Sequence, residues 1–469
     1  MKTLQKLIIP VVVLISVLSQ FAVAQTTPLS QNPVNQATEA QRADVKPFDT
    51  TGVAKPEKKS NKKEEVEEVT TELTTPDHNA FYASEAQFAF AVKNTTKNVQ
   101  EGTVSYQVTS ESGEKLNAKS IKVKIPRKSS RRFLFNIPES KPGFYKVAFM
   151  INVTDYDDTT RKAFGIRPEE IRSQYKKPGD FESFWQSTKD ELAKVAPNFR
   201  CTHQYDSSGR SVYLIEMQSL DNMTVRGWMT VPITKNKNKK FPVWLGLPGY
   251  QVNLLPIIAK DDEDLAIITL NVRGQGNSRG PINTPKAEYI SYRVEDRNKY
   301  VMRGAIMDCI RCIDFIFSRK DLNHDKIFVT GGSLGGYLAV ATAALDHRVA
   351  ICSAQNPILS DVRNLINEVE WPMSDIKKYV GTRPGTSLKQ VLDNLDYFDI
   401  KNFAPMIDCP MLMAAGLLDP LAPPDSEYAA YNLMGGDKHI MVFKNLGHEV
   451  KEDFGMHQGL WMRDEFVLF

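Results

Sequence analysis

Cysteine is scarce in this chain and poorly placed for cross-linking: Cys201, Cys309, Cys312, Cys352 and Cys409 are the only five in 469 residues. Their scatter, the odd count and the place of Cys352 and Cys409 in or beside apolar strands argue against a disulfide framework, and Cys309 and Cys312 lack a second pair or histidines at ligand spacing for a zinc site. The five read as buried apolar side chains. An excess of one charge is also missing. Fifty-nine Lys and Arg stand against 56 Asp and Glu, a formal +3, which excludes the electrostatic footprint of a nucleic-acid or polyanion binder. The basic cluster at Lys235–Lys240 reads as a solvated loop before a strand. No cofactor-binding motif and no metal-ligand spacing occurs, so neither a cofactor nor a metal is expected. Histidine is rare as well, seven in all, which narrows any search for a catalytic base.

The one prominent apolar run outside the folded part is N-terminal. A basic start (Met1-Lys2), an apolar stretch from Leu7 to Leu18 broken by Pro10, and Ala22-Val23-Ala24-Gln25 make a secretory signal peptide over 1–24, cleaved after Ala24. It is too short for a stable membrane span, and no cysteine follows the cleavage point to carry a lipid. Secreted or periplasmic location is expected. Residues 25–75 are rich in Thr, Pro, Asn, Lys and Glu and nearly free of aromatics, a disordered linker, with a charged helix at Lys62–Leu73 as the alternative. From 76 to 166 the apolar period is two: Phe88, Phe90, Val92; Val104, Tyr106, Val108; Ile121, Val123, Ile125; Phe133, Phe135, Ile137; Tyr145 to Val153. Strands without helices predict a small immunoglobulin-like β-sandwich, read as a spacer or packing module.

Residues 167–469 alternate strands with helices. After a helix around Phe181–Val195 come two strands, Val212–Met217 and Val225–Val231, then Val243–Leu247, Ala266–Val272, Ile327–Thr330, Val349–Ser353, Met411–Ala415 and Ile440–Phe443. This is an α/β pattern with a mainly parallel sheet flanked by helices. Ile306, Ile310, Ile313 and Phe317 mark one buried helix face, and 356–398 reads as a helical cap containing Trp371 and Tyr379.

Within this part, Gly331-Gly332-Ser333-Leu334-Gly335 sits between the apolar strand ending at Thr330 and the Ala/Leu-rich helix that runs to Leu345. Strand, tight turn and helix give G-x-S-x-G the context of a nucleophile elbow in an α/β-hydrolase fold. A serine hydroxyl needs a base, and the base needs an orienting acid. Beyond the elbow helix, which His347 closes, the chain offers only His439, His448 and His457. His448 follows a strand directly and is the expected base; His439 begins that strand and His457 belongs to the final helix. The acid is expected at Asp419, after the strand Pro410–Ala415, where Pro420, Pro423 and Pro424 fix the loop. Asp408 lies at the other end of that strand, and Asp396 and Asp399 lie in an insertion. One oxyanion donor should be the N–H of Leu334, the other an N–H of Gly249 or Tyr250 in the loop after Phe241–Leu247.

These segments resemble the acetyl xylan esterase and cephalosporin C deacetylase family (carbohydrate esterase family 7). The resemblance runs through Lys177–Trp185, Pro248-Gly249-Tyr250, Asn271–Gly276 with its Arg-Gly-Gln-Gly turn, Tyr300–Gly304, Gly331–Gly336, Asp419 with its double proline, and Gly447-His448-Glu449. It covers about 170–469. It implies Ser333, Asp419 and His448 as a triad, Tyr250 and Leu334 as oxyanion donors, and acetylated oligo- or polysaccharide as substrate. It also implies a homo-oligomer, whose packing the added sandwich would alter. Leu334 stands where the family has glutamine, Pro248 where it has histidine, and Asn271 where it has aspartate; these departures bear on substrate preference, since backbone donors survive them. The competing enzyme class is a serine peptidase of the prolyl oligopeptidase type, but about 90 β-rich residues are too few for its propeller. A non-catalytic glycan-binding protein on a hydrolase scaffold is the third reading.

Overall fold

The computed structural model describes residues 67–259, 264–280, 282, 284–285, 288–449 and 452–468. The expected signal peptide and all but the end of the linker lie outside these residues. The linker stops earlier than the composition suggests: Val69–Thr74 is a strand (β1), not linker or helix, and pairs antiparallel with Glu85–Asn94 (β3). Phe81–Tyr82 (β2), Gln100–Thr109 (β4), Lys115–Ile125 (β5), Ser129–Pro138 (β6), Gly143–Val153 (β7) and Tyr156–Ile166 (β8) complete two sheets, ordered β1-β3-β6 and β2-β8-β7-β4-β5. Alternation places Phe88, Phe90, Val104, Tyr106, Phe135 and Phe149 in one buried cluster between them. Ile121 and Phe133, read as inward, are only partly buried at its margin.

The larger part is built on nine strands: Arg200–Ser207 (β9), Arg210–Ser219 (β10), Met223–Pro232 (β11), Phe241–Leu247 (β12), Ala266–Asn271 (β13), Leu322–Gly332 (β14), Ile351–Gln355 (β15), Met411–Gly416 (β16) and Lys438–Phe443 (β17). Their order is β17-β16-β15-β14-β12-β13-β11-β10-β9. β12 to β17 pair parallel, whereas β11, β10 and β9 join antiparallel. Every residue of β12, β13 and β16 is buried, as expected of strands covered on both faces. The helices are Phe181–Ala193 (α1), Val301–Ser318 (α2), Leu334–Leu345 (α3), Val362–Leu365 (α4), Met373–Thr382 (α5), Leu388–Leu395 (α6), Ile400–Phe403 (α7), Pro424–Tyr431 (α8) and Glu452–Glu465 (α9). The segment read as a cap is helical, with α4, α5 and α6 in it. α2 is buried nearly all round, and Phe317 at its end lies outside the expected face, stacked on His324 at 4.4 Å. Chain order turns back across β12, with β13 on one side and β14 on the other, so the crevice beyond the carboxyl ends of β12 and β14 is the place for a site.

The sandwich packs on the hydrolase part through Phe144, Ala163 and Phe81 against Leu417, Leu418, Tyr428, Ile440 and Val442. Phe144 lies 5.1 Å from Tyr428, ring to ring. The Phe144 N–H donates to Asp425 Oδ1 at 2.9 Å, and Lys162 Nζ to Asn445 Oδ1 at 2.6 Å. Removal from water, then the neighbouring Glu111 carboxylate, pushes the Asp425 carboxyl up to about 8. An acid with a raised folded pKa contributes stability that is full below the ordinary carboxylate range and lost as pH rises through its folded value. Thermal stability is therefore expected to fall between about pH 4 and about pH 8, and Asp425→Asn to flatten that fall, read from melting curves over the same range.

Candidate active site

The turn between β14 and α3 puts Ser333 at φ 58° and ψ −120°, a backbone conformation held against its own strain. Its N–H donates to the Gln355 carbonyl of the neighbouring strand at 2.8 Å. Gly335 is required here by contact: a Cβ on it would meet the Leu247 carbonyl oxygen at 2.5 Å. That close approach brings the start of α3 against the end of β12 and thus against the loop 248–251. The hydroxyl of Ser333 is left at the carboxyl edge of the sheet, in the crevice that the strand order defines.

Two later loops come to it. His448 Nε2 is 2.8 Å from Ser333 Oγ, and His448 Nδ1 is 2.7 Å from Asp419 Oδ2. An ionised Asp419 accepts only, so Nδ1 carries the proton and Nε2 is free to accept from the serine hydroxyl. Asp419 is fully buried, and its charge is matched by donors. Oδ1 accepts from the N–H groups of Leu421 and Ala422 at 2.8 and 2.9 Å, and Oδ2 also accepts from Asn356 Nδ2 at 2.8 Å. The prolines around Leu421 and Ala422 hold those two N–H groups toward the carboxylate.

Asn356 was missed by reading the sequence. It follows β15 at φ 43° and reaches both Asp419 and, at 3.3 Å, the Gly447 carbonyl beside His448. Its only sequence signal is its position after a strand adjacent to the elbow strand.

Leu334 opens α3, so its N–H is among the donors that an α-helix leaves without an intrahelical partner. Tyr250 lies in the loop after β12. Its ring packs at 4.8 Å on Trp371 of the cap and 5.8 Å from Tyr289, and its hydroxyl accepts from the Ile290 N–H at 3.2 Å. Burial pushes that hydroxyl up to about 12, so it stays protonated. Asn271 braces the same loop further on, bonding both the N–H and the carbonyl of Leu254 at 2.9 and 3.0 Å. Tyr379 instead donates to Glu295 at 2.6 Å.

The remaining candidates are apart from this cluster. His347 pairs with Asp408 and His439 with Asp437, all four largely exposed; His457 is exposed on α9. Asp399 is buried with Lys401 at 2.7 Å, and Asp396 pairs with Arg363.

A further carboxyl lies near Asp419. Glu427 of α8 is fully buried, with neither carboxylate oxygen hydrogen-bonded. Burial, then the Asp419 charge, pushes it well above the ordinary carboxylate range, which favours its protonated form. An unpartnered buried polar group costs about 1–3 kcal/mol, which an apolar side chain of the same shape avoids. Glu427→Met is expected to raise the urea midpoint, most at alkaline pH where Glu427 is driven to ionise.

The acetyl xylan esterase (AXE1) family matches residues 167–464. Acetyl esterase Axe7A of Xylanibacter ruminicola is 25% identical over 414 residues, 84% of this chain and 90% of that protein. That span exceeds the hydrolase part alone. Acetyl xylan esterase from Paenibacillus sp. R4 superposes with a TM-score of 0.58 and 27% identity over 65% of this chain and 99% of its own. Acetyl xylan esterase 1 of a Thermoanaerobacterium species shares the fold, with a TM-score of 0.58 and 24% identity over 64% of this chain and 98% of its own. With the strand order and the family match in agreement, this chain belongs to the acetyl xylan esterase family of α/β-hydrolases and is a carboxylic ester hydrolase.

Proposed function

We propose that this protein is a secreted serine esterase that removes acetyl groups from acetylated xylan or xylo-oligosaccharides, with Ser333, His448 and Asp419 as its triad. The observation that carries the reading is the continuous hydrogen-bonded line from Ser333 Oγ through both imidazole nitrogens to Asp419. His448 Nε2 takes the hydroxyl proton as Ser333 Oγ attacks the acetyl carbonyl carbon. Asp419 holds the ring in the required tautomer and stabilises the imidazolium. The N–H groups of Leu334 and Tyr250 receive the oxyanion. Collapse breaks the bond to the sugar oxygen, which leaves with the proton from His448. Water, deprotonated by the same nitrogen, then attacks the acetyl-serine; the acyl–Oγ bond breaks, His448 returns the proton to Ser333 Oγ, and acetate departs. The secretory reading is supported by the N-terminal pattern of basic start, apolar run and Ala-Val-Ala.

The test is acetate release from acetylated xylo-oligosaccharides by the mature protein beside Ser333→Ala. Release that the substitution abolishes is the expected result. Cleavage of an aryl acetate without release from the oligosaccharide would keep the esterase and remove xylan; peptide cleavage without acetate release would replace the esterase by the peptidase.

A further inference from the structure

We propose that the β-sandwich is a positioning module of the active site, holding the acid loop through Asp425 and the histidine loop through Asn445. Resting on the triad reading above, this assigns Asp425, Lys162 and Asn445 as positioning residues for Asp419 and His448.

The three triad loops are not equally supported by the hydrolase fold. Ser333 sits between the last six residues of β14, all buried, and α3, buried throughout. His448 follows β17, the edge of the sheet, where no residue is fully buried, and Asp419 follows the next strand in. An edge strand has a neighbour on one side only and is the least constrained part of a sheet. The sandwich packs there. Ile440 and Val442 of β17, and Leu417 and Leu418 immediately before Asp419, pack in the cluster formed with Phe144 and Ala163.

Polar contacts hold both loops, the acid loop beyond Asp419 and the histidine loop before His448. Asp425, six residues beyond Asp419, accepts the Phe144 N–H at 2.9 Å. Asn445, three residues before His448, accepts from Lys162 Nζ at 2.6 Å, and its neighbour Lys444 reaches the Asp77 carbonyl at 3.5 Å. The two loops are tied to each other where the Leu418 N–H donates to the Leu446 carbonyl at 2.9 Å. The acid is thus flanked by sandwich contacts, and the histidine is held from the strand side. A shift of about 1 Å in a catalytic group costs about 100-fold in rate, so these contacts bear on turnover and not only on packing.

The experiment uses the full mature chain and measures kcat and KM on an aryl acetate for Lys162→Ala, Asn445→Ala, Asp425→Ala and Asp425→Asn, beside Ser333→Ala. Each assay is run well below the variant's own melting point, with far-UV circular dichroism as the check on folding. Expected is a fall in kcat of about 10-fold for Lys162→Ala and Asn445→Ala and about 10–100-fold for Asp425→Ala, with KM little changed. Asp425→Asn, which keeps an acceptor for the Phe144 N–H, is expected to recover most of the kcat lost in Asp425→Ala. Should Asp425→Ala fail to fold, Lys162→Ala decides, because that side chain is half-exposed. Parental kcat with only a lowered melting point would overturn the proposal, leaving the sandwich a packing module. A raised KM at parental kcat would overturn it in favour of a substrate-binding wall. Ser333→Ala separates the two levels: an active Ser333→Ala sinks the triad reading itself, whereas a dead one beside fully active Lys162 and Asp425 variants sinks only the positioning role.

Discussion

Alanine at Ser333 is expected to lower kcat by about 10⁵–10⁶-fold while leaving the fold and melting point almost unchanged. The size follows from what the substitution removes. In the mechanism proposed above, without Oγ there is no acyl-serine, and the reaction falls back on water attacking a carbonyl that only the oxyanion donors still polarise, about 10³–10⁴-fold over solution. His448→Ala should cost nearly as much, and the double substitution little more than either, because base and nucleophile act as one unit. Asp419→Asn should cost about 10⁴-fold, since an amide at that position favours the wrong tautomer. In this site the effect extends to burial: Asp419 Oδ1 faces the N–H groups of Leu421 and Ala422, and a carboxamide turned to place its NH₂ there would clash with both donors. The measurement is acetate release per mole of folded protein, with a serine-reactive phosphonate used to titrate out any contaminating parent enzyme. Ser333→Ala within about 10-fold of the parent would remove Ser333 from the chemistry, given the magnitudes above.

What the sequence made legible is local. The elbow is one strand, one turn and one helix contiguous in the chain, so glycine spacing and apolar runs suffice to read it. His448 emerges because so few histidines follow Ser333, and Asp419 because prolines set off its loop. The unread features are those that join distant segments. Asn356 meets Asp419 across 63 residues, and the Phe144 N–H meets Asp425 across 281. No periodicity encodes such a bond. β9 was missed for a related reason: none of its eight residues is buried and six of them are polar, so Arg200–Ser207 lacks the alternation that marks a strand, and only pairing with β10 makes it one. The sandwich itself was read from its period of two, but its contact face was not. Phe81 and Phe144 look like any other core aromatics until the hydrolase part is beside them.

The largest stability effect is expected not at the triad but at Asp308 on α2. Its carboxylate grips the Arg273 guanidinium in two parallel bonds, Nε to Oδ2 at 3.0 Å and Nη2 to Oδ1 at 2.8 Å. Both side chains are almost completely removed from water. Burial alone would favour loss of the arginine's proton; the Asp308 charge outweighs it and keeps the group ionised. The space is closed on the other side as well, since a Cβ on Gly304 would meet Arg273 Nη1 at 2.1 Å. The guanidinium therefore has nowhere to turn if its partner goes. Asp221 at 3.2 Å is mostly exposed and offers a screened contact to one nitrogen only. Asp308→Ala is expected to cost about 3–5 kcal/mol, the penalty for stranding a buried charge, out of a typical domain stability of about 5–15 kcal/mol. Because a buried pair replaced by apolar groups is about neutral, Arg273→Met with Asp308→Leu should regain most of that loss. Urea unfolding of the parent, the single and the double variant decides the matter. A single variant as stable as the parent would mean that Asp221 and the Leu220 carbonyl, which Arg273 Nη2 reaches at 2.9 Å, neutralise the arginine without Asp308. A double variant as weak as the single would mean that the bidentate geometry, which also fixes the Arg273 N–H on Asp308 Oδ2 at 2.9 Å, is what holds the turn after β13 in place.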